Sequence, residues 1–522
     1  VEHRERELAH LGDRARAVWA MGGVADIEDA LVGQLNDDRP RHREATDAAV
    51  ENPDRRVTHR LIVLAATSGA CWLMLHPCIH HIAPLARRYA LKMASTALLT
   101  DRYELTMIDA AMRSGTADRE CVFEVFARRL PHGRRYGVVA GTGRLLELIG
   151  DFRFGDDELE FLREKSIVSD NTLAWLADYR FTGTIRGYAE GELYFPGSPI
   201  FVVEGTFAEA VILETLALSI LNADSSVASA ASRMVVAADG RPCAEMGSRR
   251  TGEASAVAAA RAAFIAGFAA TSNLEAGRRW GVPTMGTAAH SFTLLHDTEE
   301  DAFRAQVDAL GPGTTLLVDT YNIEQGVALA VQVAGTGLGA VRIDSGDLPS
   351  QVAAVRAQLD ALGATNTRIT VTNDLDEHTI AALRAAPVDS FGVGTSVVTG
   401  SGAPAAGMVF KLVSRRGDNG EWVEVGKTSE GKATVGGRKV PVRMLRDGVA
   451  VQERILVEEE ATTHDGRLLD VDLMVGGVAA EGAIGTAGVL AARERHAASL
   501  AELPADGLRL GRGEPAIPTV YV

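Results

Sequence analysis

Several side chains able to do chemistry stand at comparable places, each just after an apolar run. His290 lies in residues 286–291 (GTAAHS). An imidazole can accept a proton or a phosphoryl group, and a neighbouring hydroxyl such as that of Thr287 can fix a ligand. Arg249 and Arg250 follow a glycine and precede an alanine-rich stretch, residues 254–270, that reads as a helix. Two guanidinium forks at the positive end of a helix make a trap for carboxylate or phosphate, and arginine is disfavoured there without an anion. Asp344 and Asp347 flank a tight turn, DSGD, where carboxylates suit ribose hydroxyls or Mg²⁺. Arg342, two residues before Asp344, would share its strand face. Residues 392–396 (GVGTS), with Gly394 and Thr395, read as a backbone-amide nest for phosphate. Asp319 and Asn373 occupy equivalent places after two further apolar runs. Each feature alone also has a plain structural reading: a hydrogen-bonded strand-end histidine, a solvated arginine pair, ordinary turn chemistry.

What must position these groups is a series of strands. Residues 283–291, 315–322, 340–347, 368–374 and 389–396 are strand-like and end in polar side chains, with helix-like stretches between them. That alternation predicts βαβ units and a parallel sheet. In such sheets and barrels chemistry gathers at the carboxyl ends of the strands, which puts all of these groups into one site. The expected organisation is an N-terminal α/β domain over 93–221, an α/β barrel over 222–407 and a β-rich segment over 408–522 that packs back on the first domain. Within the first domain, residues 100–114 read as a helix, 121–128 as a strand and 207–221 as a long apolar helix.

Composition narrows the partners. The chain has 522 residues, a mean hydropathy of +0.04 and a net charge of -16. That length allows two or more domains, and the acidic balance argues against a nucleic-acid partner. Four scattered cysteines do not make a disulfide framework, so a cytoplasmic setting is expected. No membrane span is expected; residues 61–75 are short for one and contain Thr67, Ser68 and Gly69. Residues 1–92 look foreign to the rest: they hold seven of the thirteen histidines, and their 13 basic and 13 acidic residues balance. They are expected to be a dispensable, disordered extension or an over-long reading frame, with Met93 a plausible start. His76, Cys78, His80 and His81 there match no zinc spacing. Residues 426–428 (GKT) mimic the end of a phosphate-binding loop, but the required first glycine is replaced by Glu421.

Taken together, LLTDRYELTM (98–107), EMGSRRTGE (245–253), TSNLEAGRRWGVP (271–283), MGTAAHSF (285–292), VDTYN (318–322), VRIDSGDL (341–348), SFGVGTSVVT (390–399) and MVFKLV (408–413) closely resemble the nicotinate phosphoribosyltransferase family, in its order. The resemblance implies a type II phosphoribosyltransferase: an irregular α/β barrel beside an α/β domain, usually a homodimer. It implies an ATP-coupled, ligase-type reaction of nicotinate with phosphoribosyl pyrophosphate, with Mg²⁺ on the pyrophosphate. His290 would be transiently phosphorylated, and Tyr103 would close over the nicotinate ring, from either subunit. Thr287 and Arg342 would help bind nicotinate, with Arg250 a second partner for its carboxylate, and Thr395 with the glycine amides would hold the phosphoribosyl phosphate. Asp344 would stabilise the developing cation, with Asp344 or Asp347 near the metal. A nicotinamide or quinolinate enzyme, or an inactive barrel with a scaffold role, are the alternatives.

Overall fold

The computed structural model describes residues 96–429, 434–457 and 465–522. The expectations on residues 1–92, including the His76, Cys78, His80 and His81 cluster, lie outside the described residues. The N-terminal part carries strands β1 (Glu120–Ala127), β2 (Gly137–Val138), β3 (Thr184–Tyr188), β4 (Leu193–Tyr194) and β5 (Phe201–Thr206). The middle carries β6 (Cys243–Glu245), β7 (Ala270–Thr271), β8 (Thr315–Leu317), β9 (Ala340–Ile343), β10 (Arg368–Val371) and β11 (Ser390–Val393). The tail adds β12 (Met408–Arg416), β13 (Trp422–Glu424), β14 (Lys439–Arg446), β15 (Val449–Val457), β16 (Arg467–Leu468), β17 (Asp470–Val475), β18 (Val478–Ala479) and β19 (Thr519–Tyr521).

The middle strands form one all-parallel, curled sheet in the order β7-β6-β11-β10-β9-β8. Their short apolar runs, such as Val341 and Ile343 or Ile369 and Val371, are fully buried, as a sheet covered on both faces requires. A second sheet, β13-β12-β1-β5-β3-β17-β18, interleaves N-terminal and tail strands: β12 pairs with β1 and β17 with β3, both antiparallel. The β-rich tail therefore completes the first domain. Glu124, in the middle of β1, is buried there against Lys439 of β14 at 2.8 Å. A buried carboxylate needs such a partner.

The helix Glu214–Ala238 joins the two layers. Leu216, Ile220 and Leu221 on its first turns pack in the first domain's core, whereas Ala230, Ala231 and Met234 pack in the barrel's. The stretch Phe207–Ala238 is apolar enough to cross a membrane by composition, yet 67% of its apolar window is buried inside the fold. Its Arg233 bonds Glu377 and its Asp224 bonds Arg144, so it is built as a core helix.

Three local expectations change. Residues 283–291 are not a strand; Thr284 makes a single parallel bridge to Thr271, and His290 instead opens the helix His290–Leu295. Arg249 and Arg250 lie in a single 3₁₀ turn, Ser248–Arg250, just ahead of the alanine-rich helix Glu253–Ile265. The apolar helix read over 207–221 continues, after a break, to Ala238. Helices Asp170–Asp178 and Gly485–Ala501 were not anticipated.

Candidate active site

A cavity of about 680 Å³ opens at the carboxyl ends of the parallel strands. Its wall includes Arg249, Arg250, Thr287, His290, Arg342, Asp344, Asn373, Gly394 and Thr395. The fold thus brings together nine of the residues singled out from sequence, carried by five strands: Arg249 and Arg250 after β6, Thr287 and His290 after β7, Arg342 and Asp344 at the end of β9, Asn373 after β10, and Gly394 and Thr395 after β11.

Each is held by its own local chemistry. The turn bearing Arg249 and Arg250 hangs from buried Glu245: one carboxylate oxygen accepts from the Gly247 N–H and the other from Thr271 Oγ1 at 2.5 Å. Burial pushes the Glu245 carboxyl up, while the bonds from Thr271 and Gly247 pull it down. Asn273 Nδ2 donates to Ser248 Oγ at 3.0 Å and secures the same turn. Among the described residues neither arginine is in an ion pair, so both guanidinium groups stand free for a ligand. Arg342, on β9, donates to Thr287 Oγ1, which ties the 284–290 segment over the sheet. Burial lowers the Arg342 guanidinium below its ordinary value and Arg249 adds to this, against the pull of Asp344 and Asp319. It remains a cation at neutral pH.

His290 stands among polar partners. Its Nδ1 lies 3.1 Å from Thr320 Oγ1. Its Nε2 lies 3.8 Å from Asp344 Oδ2 and 4.0 Å from Asp319 Oδ1. Both carboxylates therefore lie on the Nε2 side of the ring, and the Thr320 hydroxyl on the Nδ1 side. The ring is 40% exposed, so a phosphate donor can reach it.

Three expected residues sit elsewhere. Asp319 has a fully buried side chain below the cavity. Its Oδ2 accepts from the Asp344 N–H at 2.8 Å and from Ser345 Oγ at 2.7 Å, so it builds the DSGD turn and does not line the wall. Tyr103 lies on the helix Arg102–Ser114, 44% exposed and off the cavity wall. Burial, and then Glu214, push its phenol up. Asp347 is off the wall as well: it stands at the N-cap position of the helix Leu348–Ala361, where its carboxylate accepts from Ser350 Oγ at 2.6 Å. Asp374, beside Asn373 at the same strand end, lines the cavity too, and Met246, Ser248 and Thr372 line it without having been selected. Thr320 and Thr372 act through neighbouring strand ends, which spacing along one chain cannot reveal. The decoy Gly426-Lys427-Thr428 lies in an irregular segment after β13 and opens no helix.

The described residues contain no cluster of three or more His, Cys, Asp or Glu that could cage a metal ion. Asp344 and Asp374 on the wall suffice for a Mg²⁺ that arrives on phosphate oxygens, because that ion needs only one or two carboxylates and keeps its waters. As a whole the arrangement gathers three guanidinium groups, one histidine and a glycine-rich turn around one space, a receptacle for a small molecule with several negative charges.

Residues 98–222 match the model of the nicotinate phosphoribosyltransferase (NAPRTase) N-terminal domain. The chain is 57% identical over 433 residues to nicotinate phosphoribosyltransferase pncB1 of Mycobacterium tuberculosis, covering 81% of this chain and 94% of that one. It is 36% identical over 368 residues to nicotinate phosphoribosyltransferase of Bacillus subtilis, covering 68% and 75% respectively. The fold is similar to that of human nicotinic acid phosphoribosyltransferase, with a TM-score of 0.68, 24% identity and coverage of 81% and 97%. It is also similar to that of nicotinate-nucleotide pyrophosphorylase from Pyrococcus furiosus, with a TM-score of 0.64, 21% identity and coverage of 81% and 99%.

Proposed function

The chain belongs to the nicotinate phosphoribosyltransferase family, and from that premise we propose how its cavity works. It joins nicotinate to phosphoribosyl pyrophosphate, giving nicotinate mononucleotide and pyrophosphate, a step of NAD biosynthesis. The observation that carries the reading is the convergence of Arg249, Arg250, Arg342 and His290 on one cavity.

In this reading the nicotinate carboxylate meets the Arg342 guanidinium, with Thr287 fixing the arginine and Arg250 as a second cation. Gly394 and Thr395, with Arg249, take the phosphate of the ribose. The pyridine nitrogen then attacks ribose C1, and the C1–O bond breaks with its electron pair leaving on pyrophosphate. Asp344 faces the positive charge that develops at C1. Asp344 and Asp374 would meet a Mg²⁺ that arrives on the pyrophosphate, and such an ion would neutralise charge on the leaving group.

ATP acts as a co-substrate through His290. Nδ1 attacks the γ-phosphorus and the bond to ADP breaks; water later cleaves the N–P bond and releases phosphate. In this reading the Nε2 proton stays on the ring, on the side that faces the Asp344 and Asp319 carboxylates. A dianion placed at this point strengthens the order of the arginine-bearing segments around the substrates. The protein works in the cytoplasm as a homodimer. Tyr103, exposed and off its own cavity wall, is the side chain that a second copy would contribute to the ring site.

The test is phosphorylation from γ-labelled ATP. The wild-type chain is expected to acquire acid-labile label. His290→Ala should acquire none and lose stimulation by ATP, while keeping slow ATP-independent transfer. Full ATP coupling in His290→Ala would refute the role.

A further inference from the structure

Asp344 is held at two points, and the second involves a residue with no role assigned so far. Its backbone N–H donates to Asp319 Oδ2 at 2.8 Å. Its Oδ1 accepts from Thr372 Oγ1 at 2.5 Å. That leaves Oδ2 without a hydrogen bond among the described residues, 3.8 Å from His290 Nε2, in a residue that lines the cavity.

Thr372 is itself fixed by three strand ends. It follows β10 directly, and its N–H donates to the Ile343 carbonyl at the end of β9 at 3.0 Å. Its methyl faces β11: a Cβ on Gly392 would fall 2.6 Å from Thr372 Cγ2, so the absence of a side chain at 392 makes room for it. A β-branched side chain has few rotamers, and here the methyl contact leaves the hydroxyl directed at Asp344. A hydrogen bond from a hydroxyl to a carboxylate is short and among the stronger kinds.

We propose that Thr372 is a positioning residue that fixes the rotation of the Asp344 carboxylate, so that Oδ2 faces the reacting centre. The proposal rests on the reading of Asp344 given above. Removing the hydroxyl frees the carboxylate to turn, and small misplacements of a reacting group cost about 100-fold in rate. The substrates' own binding groups, the arginines and the glycine-rich turn, are untouched. The loss therefore belongs in kcat and not in KM.

The experiment is a kinetic cycle with Thr372→Val, which keeps the shape and removes the hydroxyl, and Thr372→Ser, which keeps the hydroxyl. Each is made alone and with Asp344→Asn, and thermal melts establish that each chain is folded at the assay temperature. Thr372→Val should lower kcat roughly 10- to 100-fold with both KM values within about 3-fold of wild type. Thr372→Ser should stay within about 3-fold in kcat, and Thr372→Val should have little further effect in the Asp344→Asn background. Three results would overturn the proposal: an undiminished kcat in Thr372→Val, a serine variant as slow as the valine variant, or an undiminished extra loss on top of Asp344→Asn. If the wild-type chain uses a base other than nicotinate, the substrate reading fails, and the same cycle run with that base still decides the role of Thr372. A wild-type chain that turns over no base contradicts both.

Discussion

Arg342 shows how single residues divide the work. A guanidinium this buried is costly unless something negative meets it. Among the described residues its guanidinium makes one hydrogen bond, to the neutral Thr287 hydroxyl, and its Nε is buried without a partner. Such a group binds an incoming carboxylate better than a solvated one, since less water must be displaced. Hydrogen bonds to charged groups contribute about 1.5–3 kcal/mol each, so Arg342→Ala should raise the nicotinate KM by about 10- to 100-fold. The KM for phosphoribosyl pyrophosphate should move much less. Steady-state kinetics with each substrate varied in turn reads this out, and equal rises in both values would count against a carboxylate contact.

At the scale of elements, strand ends were the legible part. β8, β9, β10 and β11 are short apolar runs closed by polar residues, and a parallel sheet permits little else. The segment carrying His290 misled because glycine, alanine and threonine allow an extended reading, whereas Ala289 is extended and His290 starts a helix. The helix Gly485–Ala501 escaped for a different reason. Its buried face is Gly488, Val489, Ala492, His496 and Ser499, small or polar residues that give no apolar stripe. Such a face packs closely on other elements but carries little hydrophobic signal. The same limit hid Thr320 and Thr372: a hydroxyl becomes informative only when a neighbouring strand places a partner beside it.

At the scale of the whole molecule, the chain is acidic, with a net charge of -16, yet it concentrates three arginines in one cavity. Set against Asp344 and Asp374 on the same wall, the three guanidinium groups leave the lining with one positive charge in excess, which suits capture of anionic substrates. The tail also ties the layers together, and one contact makes stability depend on pH. His496 is buried, with Nε2 2.9 Å from Ser232 Oγ on the helix that joins the two layers. Burial pushes its imidazole down to about 4, with Arg493 adding to the shift and Glu192 opposing it. Because the unfolded chain binds this proton at an ordinary pKa of about 6.5, stability is full above that value and is lost as pH falls toward 4. The loss from this residue is on the order of 3 kcal/mol. Urea unfolding at pH 7 and pH 5 should show a smaller drop for His496→Gln than for wild type; an equal drop would remove His496 as the cause. The central claim concerns substrate, and the most direct measurement is product formation by the purified chain from phosphoribosyl pyrophosphate and Mg²⁺. Nicotinate, nicotinamide and quinolinate would be offered separately, each with and without ATP. The account predicts nicotinate mononucleotide from nicotinate alone, formed faster with ATP. Turnover of nicotinamide or quinolinate in preference to nicotinate, or of none of the three, would contradict it.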